Sequence, residues 1–159
     1  MKKLSAIILS LLLGIFAFAG CAGSENHAEP AVSDILTRLE QSVDIPQSTR
    51  IEDADTICTM YDLDTSMIAE MGMLKAGNGA NADEIIVIKL NSTDNMDAVE
   101  EALNLRLTVL AELFADYTPE DMPKIENAAV EKMNLYIMLA VCEDPDAASD
   151  AFAASFQNN

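Results

Sequence analysis

The chain has no tryptophan, one histidine, and an aromatic content of only 5 %. Without broad aromatic platforms it is poorly suited to stacking sugars or bases. The histidine, His27, lies in a polar stretch ahead of the first helical pattern, so a Ser or Cys nucleophile in the folded part would have no imidazole base. Gly-x-Ser-x-Gly, Cys-x-x-Cys and His-Glu-x-x-His are all missing. Basic residues are also scarce: 9 Lys+Arg stand against 27 Asp+Glu, a formal net charge of −18. Such a surface repels phosphate polymers and anionic headgroups, which argues against a nucleic-acid partner and against headgroup docking.

One long apolar run is present, at the start. Lys2 and Lys3 precede Leu4 to Ala19, about 16 residues and short of the roughly 20 needed to span a bilayer. The run ends in Ala17-Phe18-Ala19-Gly20-Cys21. This looks like a bacterial lipobox, with Phe18 where the pattern usually has Leu. The resemblance implies that residues 1–20 are a cleaved lipoprotein signal peptide, that Cys21 carries diacylglycerol and palmitate, and that the chain sits on the extracytoplasmic face of the cell membrane. Two chains make such an anchor durable. Cleavage removes Lys2 and Lys3 and no acid, taking the charge to about −20.

Residues 21–31 read as a flexible tether, spanning roughly 15–20 Å as a coil. Residues 32–157 then form one acidic domain. Ser33 is placed to cap a helix carrying Ile35, Leu36, Leu39 and Val43, ended by Pro46. A short helix follows over Ala54 to Tyr61. Met67 to Lys75 and Ile85 to Ile88 read as strands around the Gly77-Asn78-Gly79 loop. The unbroken β-branched run of the second suggests burial on both faces. Asp94 is placed to cap the longest helix, whose stripe is Met96, Val99, Leu103, Leu107, Leu110, Phe114 and Tyr117. Thr118-Pro119 opens a short helix. Ala128 to Met133 and Leu135 to Cys142 are two further strands turning at Asn134, and Asp144-Pro145 caps a last helix through Ala148, Phe152 and Phe156.

This order predicts an α+β fold: a four-stranded antiparallel sheet from two ββα units, helices on one face, and additional N-terminal helices. Ile86, Ile88, Leu139 and Val141 are expected under the long helix. Cys58 and Cys142 either pair or stay as buried free thiols.

Met60-Tyr61-Asp62-Leu63-Asp64, the strand entry Ala82-Asp83-Glu84-Ile85, the long helix and the closing Leu135-Tyr136 strand resemble small lipoproteins of Gram-positive anaerobes that carry a domain of unknown function. Where Asp62 stands, that family carries Gly. The resemblance spans roughly Leu39 to Phe156 and implies an envelope location, with no activity attached.

No catalytic residue and no cofactor is expected. Asp53-x-Asp55, Asp62-x-Asp64 and Asp144-x-Asp146 alternate oxygens as calcium loops do, yet none has the Gly and distal Glu of a complete loop, so no metal site is expected either. The functional expectation is a non-enzymatic binding or interaction module with a protein partner in the envelope. The alternatives are an accessory hydrolase with a carboxylate-only site, recognisable by two acids facing across a pocket, and a structural subunit recognisable by an exposed apolar patch.

Overall fold

The computed structural model describes residues 29–157; the expected signal peptide, Cys21, His27 and most of the expected tether lie outside them. Ten regular elements follow in order: α1 (Val32–Ser42), β1 (Thr49–Ile51), α2 (Ala54–Tyr61), β2 (Ile68–Lys75), β3 (Glu84–Leu90), α3 (Met96–Tyr117), α4 (Met122–Glu126), β4 (Ala129–Met133), β5 (Tyr136–Val141) and α5 (Pro145–Ala154). The strands form one open antiparallel sheet in the order β1-β2-β3-β5-β4.

Five strands replace the expected four. The additional one, β1, is a three-residue edge strand, Thr-Arg-Ile, pairing with the end of β2. It is too short to show a period-two pattern. The helices lie on both faces rather than one. Leu74, Ile85, Val87, Met138 and Ala140 face α1 and α5, whereas Met73, Ile86, Ile88, Leu139 and Val141 face α2, α3 and α4. Because β3 from Ile85 to Ile88 and β5 throughout are apolar on both sides, both faces must be covered. Ile86, Ile88, Leu139 and Val141 do lie under α3.

The ββα order holds twice, and Glu84–Lys89 of β3 pairs with Tyr136–Val141 of β5 to join the halves. Their helices, however, take opposite faces, so the two-fold axis relating antiparallel hairpins does not relate the halves.

Two expected caps are replaced. Ser33 lies inside α1, which begins after Ala31, and the Val32 N–H donates to Glu70 Oε2 at 3.0 Å. Asp94 lies within a short 3-10 turn, where its own N–H donates to the Ser92 hydroxyl before α3 starts at Met96. Asp144 caps α5 as expected, accepting from the Ala147 N–H at 2.9 Å. Of the predicted stripe on α3, Val99, Leu103, Leu110 and Phe114 are buried, Met96 and Leu107 half-buried, and Tyr117 exposed. Close seating of α1 on β2 depends on Gly72, where a Cβ would stand 2.7 Å from Leu36 Cδ1. Among the described residues no helix is long and apolar enough to cross a membrane.

Candidate functional site

At the start of β3 two acids lead into a central, buried strand of the sheet. Asp83 is 1 % exposed and Glu84 is fully buried. Glu84 shares the face of Ile86 and Ile88, so its carboxylate enters the layer beneath α2 and α3. Arg106 of α3 clamps it with two bonds, Nε to Oε1 at 2.8 Å and Nη2 to Oε2 at 2.7 Å. Lys75 of β2 donates to Oε2 at 3.1 Å, and the Tyr61 hydroxyl of α2 to Oε1 at 2.8 Å. Burial alone would push the Glu84 carboxyl up, but the Arg106 pairing, with help from Lys75 and Tyr61, holds it below the usual range. Burial first, then the Glu84 charge, drives the Tyr61 phenol well above its usual range.

Beside this cluster, Lys124 of α4 donates to Asp83 Oδ2 at 2.8 Å and lies 3.0 Å from Asp121 Oδ1. Asp121 Oδ2 accepts the Ala82 N–H at 2.7 Å. Asp83 Oδ1 is buried without a hydrogen-bond partner among the described residues. Glu84 is therefore held as a carboxylate and Lys124 as an ammonium, and their bonds tie α2, α3 and α4 to one end of the sheet. In such a clamp Glu84 stays without a proton while Arg106 and Tyr61 keep theirs, which makes it a poor proton relay.

Arg106 belongs to α3, which carries a second apolar row beside it. Leu105, Val109, Leu113 and Tyr117 are 55, 45, 60 and 76 % exposed. Spaced by four, they form one ridge about 18 Å long. At its Leu105 end the ridge borders a shallow pocket between α2 and α3, lined by Met60, Tyr61, Asp62, Ala102, Arg106 and Val109, with room of about 90 Å³. Asp62 ends α2 in the left-handed conformation, φ 53°, so the turn forms without glycine.

The alternating acids are occupied otherwise. Asp53 caps α2 and Asp64 accepts the Ser66 N–H at 2.8 Å, which lowers its pKa. Asp55, Asp62 and Asp64 border a broad open depression with Cys58. Among the described residues no three His, Cys, Asp or Glu side chains are grouped to hold a metal. Cys58 and Cys142 are free thiols buried on opposite faces of the sheet. Burial pushes Cys142 up to about 11.

The segment 41–142 matches the family described as a domain of unknown function, DUF4358. The chain belongs to that family. The DUF4358 match runs from the end of α1 to just past β5, taking in the clamp, the ridge and the pocket and leaving α5 outside. No curated protein and no solved structure matches the chain.

Neither the clamp nor the ridge was among the expected site residues. A signal for the clamp existed: in a chain so poor in cations, Asp83-Glu84 immediately precedes an apolar strand and needs buried partners. The ridge was legible as a second series of fours on α3, Leu105, Val109 and Leu113, which meets the expected core stripe at Tyr117. Cys21 lies outside the described residues.

Proposed function

We propose that this chain is a protein-binding module without a reaction of its own, anchored by lipid on Cys21 at the extracytoplasmic face of the cell membrane, and that it docks a partner on the outer ridge of α3. The observation that carries the reading is the ridge itself: four large apolar side chains in one line, along the flank of a helix whose adjoining side already fills the core. The lipobox at Cys21 and the resemblance to lipoproteins of Gram-positive anaerobes support the location. A carboxylate-only hydrolase would have to work from Asp55, Asp62 and Asp64, which border a broad open depression rather than facing each other across an enclosed pocket.

Two measurements test this. Palmitate should label the wild-type chain and not Cys21→Ala, and the variant should be shed to the medium; equal labelling would remove the anchor. A photoreactive residue at Leu113 in the full chain, irradiated in intact cells, should give a discrete protein adduct. The same residue at Asp146, on α5 across the sheet, should give none. Adducts from both positions, or from neither, would sink the docking face.

A further inference from the structure

On the reading that α3 is a docking face, we infer that its occupant is a basic protein segment that seats one aliphatic or aromatic side chain in the α2–α3 pocket beside Arg106, and is not a second copy of this chain. The pocket's room, about 90 Å³, equals about three water volumes, the size of a single side chain and too small for most cofactors. Met60, Ala102, Leu105 and Val109 give it apolar walls. Arg106 adds a polar handle. A guanidinium has five N–H donors; here Nε and Nη2 go to Glu84, and Nη1 makes no hydrogen bond among the described residues. An entering chain can therefore offer a backbone carbonyl to Arg106 while the charge of Arg106 stays balanced by Glu84.

The rim sets the sign of the partner. Glu101, Glu112 and Asp116 are exposed along α3, and Asp62 stands at the pocket. Arg106 is the one basic residue of α3, and it is already paired. A symmetric contact with a second copy would set these acids against themselves. Cations elsewhere are poorly placed to answer them in a symmetric contact: Arg50 pairs with Glu52, Lys75 with Glu84, Lys89 with Glu29, Lys124 with Asp83 and Lys132 with Glu100, and the exposed Arg38 belongs to α1, across the sheet from α3. An anionic membrane surface is repelled for the same reason. Lysines or arginines flanking an apolar anchor meet both requirements.

The test reads the identity of what is touched. The adduct from the photoreactive residue at position 113 of the full chain is digested and the attached peptide sequenced. The expected peptide comes from another protein, is net positive, and contains an aliphatic or aromatic residue. Two variants are made on that background. Ala102→Phe fills the pocket, and Glu112→Lys with Asp116→Lys reverses the rim on exposed positions that carry no fold. Each should lower adduct yield at least tenfold, with Asp146→Lys leaving it unchanged. A peptide from this chain itself, an acidic peptide, an adduct of lipid alone, or a yield indifferent to the rim reversal would overturn the inference. If Ala102→Phe folds, judged by its melt, and keeps full yield, the pocket is wrong while the ridge reading stands. Absence of any adduct at position 113 removes both.

Discussion

Replacing Arg106 with alanine is expected to destabilise the domain by about 3–5 kcal/mol, because it strips the main partner from a fully buried carboxylate. Lys75 would remain, but it is a single contact at 3.1 Å from a more exposed side chain and does not replace the fork. Urea denaturation of wild type and Arg106→Ala near neutral pH measures the loss. The pH dependence follows from the direction of the Glu84 shift. Its folded pKa lies below the ordinary 4.5, so the clamp's contribution is present above that value and fades as pH falls through the folded pKa. In Arg106→Ala burial is opposed only by Lys75 and Tyr61, and Glu84 takes up its proton at a higher pH than in wild type. The gap between the two proteins should therefore be widest near neutrality and narrow in acid. A loss below about 1 kcal/mol, or a gap that widens in acid, would show that water reaches the carboxylate and that the clamp is not closed.

The second large effect separates the two sides of α3. Leu103→Ala removes a fully buried side chain packed over Ile86, Ile88 and Leu139, and should cost about 2–5 kcal/mol. Leu113→Ala, on the ridge, should stay within about 0.5 kcal/mol of wild type. Leu107, half-buried at the edge of the stripe, should fall between them. Equal losses at positions 103 and 113 would mean that the ridge is packed within the chain, leaving it no free face to offer. A ridge that adds nothing to folding but is apolar along its length is what a docking surface looks like in such a series.

Periodicity carried most of the fold. The strands β2 to β5 and the helices α2 and α3 lie within a few residues of where their apolar spacing puts them, since each buries enough surface to leave a pattern. β1 left none: with three residues and an exposed Thr49, its place depends on pairing with β2 rather than on its own sequence. The faces were misplaced for another reason. Ile85 to Ile88 already implied cover on both sides, yet the order of elements does not say which helix goes to which face. That depends on how closely each helix can seat on the sheet, as α1 does over β2 at Gly72.

The site was harder to read because its residues come from distant segments. Tyr61, Lys75, Glu84 and Arg106 belong to four elements, and no local spacing links them. Caps misled in the opposite way. Ser33 and Asp94 have suitable chemistry, but Glu70 and Ser92 reached the free N–H groups instead.

The sheet's two borders differ sharply from its centre. β1 offers three residues, with Arg50 tied to Glu52, and β4 turns Glu131 and Lys132 outward. Short, charged borders give another chain little to pair with. Many copies crowded on one surface would slide past each other without forming a continuous ribbon. The molecule is thus built to be dense without being sticky at its edges, which on the proposed reading leaves contact to one helix.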